Sequence, residues 1–205
     1  MMNLNPYQIF GILAGIASVI AFAHYIFWIL RRGTRPSQAA WWSWALIALV
    51  YTASSWAAGA SWQVLILPAW LCFSQLAVAV ISLKYGDKTW DRLNIWCVVG
   101  AIVAGFGISI WHVTNEPLAA FLIAIIADCL ASVPNFRHAW KDPEQEDRLG
   151  WVLGWISAIL AVFAIEQRNL ANAGFGIYFF ITMTVVVAFV WRPTIKQWWL
   201  RTQDA

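Results

Sequence analysis

Along this chain apolar residues run in long blocks, and polar or charged positions gather where the blocks end. Seven blocks approach the roughly 20 mostly apolar residues that crossing a bilayer needs: 7–30, 39–58, 61–83, 93–113, 117–140, 149–165 and 171–191. The pattern predicts an all-α membrane protein with seven transmembrane helices, the sixth the shortest. Connections are short, so no soluble domain is expected, and 193–205 is read as an amphipathic tail carrying Trp198 and Trp199 between Lys196 and Arg201. No basic segment precedes residue 7 and the first block is longer than a signal-peptide core, so the first helix is expected to stay in the mature protein.

Composition agrees: 61% of residues are hydrophobic and 11% charged, against about 25% charged in an average soluble domain. The basic residues add an orientation, because Lys and Arg near helix ends are retained on the cytoplasmic side. Arg31, Arg32 and Arg35 follow the first block, and Lys84, Lys88 and Arg92 the third. Arg137, Lys141 and Arg148 surround the fifth-to-sixth connection, and Arg192, Lys196 and Arg201 follow the seventh; Arg168 alone lies opposite. The N-terminus is therefore expected outside and the C-terminus in the cytoplasm, in a bacterial-type inner membrane. The net charge of +3 speaks to the anionic inner leaflet and not to a nucleic-acid partner.

Sixteen tryptophans suit interfacial belts. Trp28, Trp41, Trp42, Trp44, Trp90, Trp96, Trp140, Trp151 and Trp191 fall near the inner edge, and Trp56, Trp62 and Trp111 near the outer. Cys72, Cys97 and Cys129 sit apart within helices and read as small packing residues. His24, His112 and His138 show no metal-motif spacing, and every Lys lies at a cytoplasmic edge, which disfavours haem and retinal chemistry. No nucleophile elbow, phosphate loop or HExxH is present. Neither an enzyme nor a cofactor-binding or metal-binding protein is expected.

Shifting the chain by 110 residues lays the first three helices on the last three: Trp41 meets Trp151, Arg31 meets Lys141, and Ala14, Ile16, Ala17 and Ala21 meet Ala124, Ile126, Ala127 and Ala131. With one helix intervening, the triplets would be parallel repeats about an axis along the membrane normal. The expected organisation is 1–86 first repeat, 87–116 linker helix and 117–192 second repeat. Small residues at helical spacing, Gly11 with Gly15, Gly100 with Ala104, Ala101 with Gly105 and Gly150 with Gly154, predict close helix contacts.

The most unusual residue is Asp128, deep in the fifth helix. A carboxylate at the centre of a membrane helix costs about 2.5–3.5 kcal/mol on insertion scales, so it persists where it faces a cavity or does a job. At about 100° per residue, Asp128, Ser132 and Asn135 share one face, and Pro134 invites a kink beside Asn135. Gln75, Tyr178 and Thr182 are polar groups at similar depth on the third and seventh helices, which are counterparts under the shift. Together these residues make a candidate solute and proton path with Pro134 as its hinge. Asp128 acting as interhelical glue is the bland alternative. Its counterpart in the first repeat is Ser18, so any charge-dependent step would belong to one half.

Val133-Pro134-Asn135-Phe136-Arg137 resembles the Pro-Gln motif of the PQ-loop superfamily, which includes SWEET-like sugar transporters and lysosomal amino-acid exporters. Asn135 replaces the glutamine, and the first repeat has Ala23-His24-Tyr25 without the proline. The resemblance implies alternating access between the triplets, with proton coupling through a membrane carboxylate as in some members. The related vitamin-precursor transporters stack nucleoside-like substrates on aromatic residues, a role open to Trp41, Trp42 and Trp44. The expected function is transport of a small polar or aromatic solute. The rival is a non-transporting accessory subunit or receptor-like protein of a membrane complex, in which Asp128 meets a partner's cation; a lone monomer or a homo-oligomer suits transport.

Overall fold

The computed structural model describes residues 4–31, 35–87 and 92–203, apart from the side chains of Gln145 and 196–203. Arg32, Lys88 and Trp90, and the tail side chains of Lys196, Trp198, Trp199 and Arg201, fall outside that description. The elements are α1 (Pro6–Leu30), α2 (Gln38–Ala57), α3 (Trp62–Tyr85), α4 (Asn94–Thr114), α5 (Pro117–Ala131), α6 (Val133–Lys141), a single 3-10 turn (Pro143–Gln145), α7 (Arg148–Phe163) and α8 (Leu170–Gln203).

Start signals in the sequence account for several helix ends. Asn5 caps α1 in a reciprocal box with Gln8, with Pro6 in the first turn, where its missing N–H costs nothing. Ser37 and Asp147 accept from the backbone N–H groups of Ala40 and Gly150 at the starts of α2 and α7. The α2–α3 turn passes through Gly59 at φ 81°, and α4 stops at Asn115 in the left-handed region at φ 58°, one of the few side chains that tolerate it.

Five helical segments are long and apolar enough to cross a membrane: Pro6–Leu30, Trp62–Tyr85, Asn94–Thr114, Pro117–Lys141 and Leu170–Ile195. The chain is a helical integral membrane protein. Two of the seven expected spans fall short of that standard. α2 has 20 residues and no charge, but its tryptophans, serines and Tyr51 dilute its apolar character. α7 has only 16 residues, about 24 Å at ~1.5 Å per residue. The tail also differs, because α8 continues through Pro193 to Gln203. One proline removes one backbone hydrogen bond and bends a helix more readily than it ends it.

Large aliphatic and aromatic side chains such as Phe73, Ile102, Phe106, Ile126 and Ile181 face outward, while much of the interior is alanine and serine, with a few large side chains such as Ile47, Leu67 and Phe121 among them. This is the arrangement of helices that associate in lipid, where small residues let backbones approach. Within each end of the chain one helix stands between the others: α3 packs on both α1 and α2, whose backbones stay apart and meet only through side chains such as Tyr25 and Trp41, and α8 packs on α5, α6 and α7. Across the bundle α1 lies on α7 and α2 on α5, with α4 against α5 and α2.

The small-residue pairs divide by what they face. A Cβ on Gly11 would meet the backbone carbonyl of Gln63, and one on Gly100 would sit 2.6 Å from the carbonyl oxygen of Ala127, whereas one on Gly105 meets nothing. Replacing Gly100 with Val should therefore lower the melting temperature in detergent by several degrees, an overpacking cost of about 1–3 kcal/mol. Gly105→Val should leave it unchanged, and equal shifts would contradict the α4–α5 contact. Cys97 is buried as expected and Cys72 partly so, but Cys129 is exposed on the helix surface.

Candidate functional site

The polar face of the fifth span is organised by its proline. Pro134 has no N–H to offer and its ring crowds the preceding turn, so the helix breaks before it, with α5 ending at Ala131 and α6 starting at Val133. The bend thus falls at Ser132 and not beside Asn135, because proline acts on the turn N-terminal to itself. The backbone stays connected through Ser132 N–H to Asp128 O at 2.9 Å and Phe136 N–H to Ser132 O at 2.9 Å.

Asp128 lies one turn before this bend. Its Oδ2 accepts a hydrogen bond of 2.6 Å from the Tyr178 hydroxyl of α8, and that hydroxyl in turn accepts from the Cys129 thiol at 3.8 Å. Among the described residues Tyr178 supplies the one side-chain bond to the carboxylate.

Asp128 opens onto a cavity of about 710 Å³. Ser132, Pro134, Asn135, Gln75 and Thr182 line it too, so the structure brings these six sequence-selected positions to one space. Tyr178 stands just behind the wall and enters through its bond to Asp128. The Gln75 Oε1 is buried without a hydrogen-bond partner. Ser18, the counterpart of Asp128 under the 110-residue shift, lies on the opposite wall and is 2% exposed.

The walls are more aromatic than expected. Trp41, Trp44 and Trp151, assigned by sequence to the interfacial belt, line the cavity with Phe22, Tyr25 and Phe179. Trp41 is the hub, with ring centroids 5.2 Å from Tyr25, 5.3 Å from Trp44 and 6.0 Å from Phe22. Trp42, on the other face of α2, is exposed along with Trp28, Trp56, Trp62, Trp96 and Trp140, as belt residues are.

The cavity opens at the end of the bundle that carries the basic residues, where Arg35, Arg137 and Lys141 share its mouth with Asp142, Glu146 and Asp147. Two histidines are fixed there. His24 Nδ1 lies 3.0 Å from Asp147 Oδ2 while its Nε2 accepts from the Trp28 indole at 3.0 Å, a geometry that selects the Nδ1–H tautomer. His138 Nδ1 lies 2.6 Å from Glu146, whose other oxygen accepts from Trp151 at 2.7 Å. Among the described residues no three His, Cys, Asp or Glu side chains gather as a metal site.

Toward the opposite end the cavity is shut by two layers. The first is a buried plug in which Tyr51 stacks on Phe175 at 4.7 Å, with Phe121 and Ile47 fully enclosed beside it. The second is a polar latch between the two ends of the chain. Gln63 Nε2 donates to Glu166 at 3.2 Å, Asn5 Nδ2 to the same carboxylate at 3.4 Å, and Ser61 N–H to Asn172 Oδ1 at 2.8 Å. Gln63 and Asn172 are only 4% and 2% exposed. Glu166 is thus committed to Asn5 and Gln63, and the interfacial pair with Arg168 that their spacing suggests does not form.

The latch has no sequence signal beyond polar residues at span ends, which also describes ordinary interfacial contacts. A shallower groove of about 390 Å³ between α1 and α3 is lined by apolar side chains such as Ile12, Ile16 and Phe73 and offers no chemistry. Comparison with protein-family models, curated proteins and solved structures returns no match to this chain.

Proposed function

We propose that this chain is a small-solute transporter of the PQ-loop type, working by alternating access, with the Asp128 cavity as its path and a proton as the coupling ion. The observation that carries this is a polar, aromatic-walled cavity reaching a membrane-depth carboxylate, open at one end of the bundle and closed at the other by contacts that join its two halves.

The two halves are taken as parallel repeats, α1–α3 and α5–α8, joined by α4, with all seven spans crossing. Exchanging α1, α2 and α3 for α5–α6, α7 and α8 exchanges the main contacts between them, with α4 outside the correspondence: α3 stands in the middle of one triplet as α8 does of the other, and α1 on α7 mirrors α5 on α2. The two N-terminal caps agree with this, since Ser37 with Ala40 and Asp147 with Gly150 are 110 residues apart at both positions. With the basic end in the cytoplasm, the cavity is open inward and latched outward.

Rocking one triplet against the other would open the latch and close the mouth, with the bend at Ser132 absorbing part of the change. The bond from Tyr178 engages Asp128 inside the chain, which sets transport ahead of a subunit whose aspartate awaits a partner's cation. The test is uptake from a defined mixture of small metabolites into reconstituted vesicles, read by mass spectrometry. At least one solute should accumulate beyond empty vesicles and lose that accumulation with Asp128→Asn; accumulation indistinguishable from empty vesicles contradicts transport.

A further inference from the structure

Resting on the transport reading, we infer that the solute is a small organic cation without an acidic group, held by Asp128 and the aromatic wall of α2, and exchanged for the proton on that carboxylate. The charges lining the cavity are not evenly placed. Arg137 lies about 14 Å and Lys141 about 20 Å further along the span than Asp128, at ~1.5 Å per residue, and at the mouth these two and Arg35 are matched by Asp87, Asp142, Glu146 and Asp147. At the deep end Asp128 is the one charged side chain in the lining.

Asp128 is partly exposed to the cavity, and once an entering solute displaces the water there its carboxylate needs a proton or a cation, because a single hydrogen bond from Tyr178 does not replace that hydration. An anionic solute would be repelled there, and a neutral one would leave the charge uncompensated. The aromatic wall between Asp128 and the mouth supplies the second half of a cation site. α2 packs directly on α5, and Trp41, Trp44 and Tyr25 present ring faces and edges to the same space. Tryptophan is the strongest cation–π partner, and the interaction strengthens where water is excluded. The unpartnered Gln75 carbonyl oxygen nearby is an acceptor for an ammonium N–H or a hydroxyl.

Since Asp128 holds either the proton or the cation, binding of one requires release of the other. One proton would leave for each monovalent cation that enters, and the exchange would be electroneutral.

The chain in nanodiscs of neutral lipid, titrated with choline and N-methylpyridinium and with their respective neutral isosteres 3,3-dimethyl-1-butanol and toluene, tests this through tryptophan fluorescence. At least one cation should bind about tenfold or more tighter than its isostere and release a proton measurable in weak buffer. Asp128→Asn should remove that preference, and Trp41→Leu should weaken cation binding severalfold while the protein stays folded by its melting profile. No cation binding better than its isostere, or an unchanged preference in Asp128→Asn, overturns the inference. Binding is read without flux, so the two readings fail separately: cation binding with no uptake overturns transport alone, and uptake of a neutral solute by Asp128→Asn overturns the cation site alone.

Discussion

Asp128→Asn is expected to cut solute accumulation in reconstituted vesicles at least about tenfold, a change worth ~1.4 kcal/mol, and to abolish its dependence on a proton gradient. The amide nearly matches the carboxyl in size and keeps an oxygen for the Tyr178 hydroxyl, so folding should survive. What it loses is the alternation between charged and neutral forms. Tyr178→Phe separates the two contributions. It removes a hydrogen bond to a charged group, worth about 1.5–3 kcal/mol, but leaves the titratable carboxylate, so transport should slow while its gradient dependence remains. Inactive but well-folded Tyr178→Phe together with active Asp128→Asn would reverse the roles assigned here.

The second large effect is expected at the latch. The Ser61–Asn172 bond contributes about 0.5–1.5 kcal/mol and each bond to the Glu166 carboxylate up to about 1.5–3 kcal/mol, a sum of a few kcal/mol that differential binding of solute and proton is large enough to offset. Burial of Gln63 and Asn172 makes the opening cooperative, because a half-open latch would leave buried amides unpaired. A covalent bridge removes that freedom. With Cys72, Cys97 and Cys129 replaced by Ala, Gln63→Cys and Glu166→Cys joined through disulfides by a short bis-methanethiosulfonate cross-linker should stop uptake, and a reductant should restore it. Full uptake by the bridged protein would mean that these two positions need not separate.

Much of this arrangement is legible in the chain because lipid imposes simple rules. The apolar blocks locate the helices to within a few residues, except for the break inside the fifth block and the far end of α8, since backbone groups in hydrocarbon must bond within their own helix. The stripe of Asp128, Ser132 and Asn135 reaches the cavity because helical spacing alone fixes which side chains share a face. Trp41 and Trp44 are harder: hydropathy reports how far along a helix a tryptophan lies but not which way it points, and α2 turns these two inward while Trp42 faces out. The latch joins residues far apart in sequence, Gln63 to Glu166 and Ser61 to Asn172, and no local pattern encodes such pairs. The run of α8 through Pro193 is set by the helix on either side of the proline rather than by the proline itself.

Alternating access through the Asp128 cavity is tested most directly by the accessibility of one deep position from each side of the membrane. Thr182→Cys, on the background lacking native cysteines, should react with a membrane-impermeant thiol reagent from the cytoplasmic side when the latch is intact. Adding Glu166→Ala, which removes the acceptor shared by Asn5 and Gln63, should raise labelling from the outside and lower it from the inside. Labelling from the same side at the same rate in both proteins, or from neither side, would contradict the account.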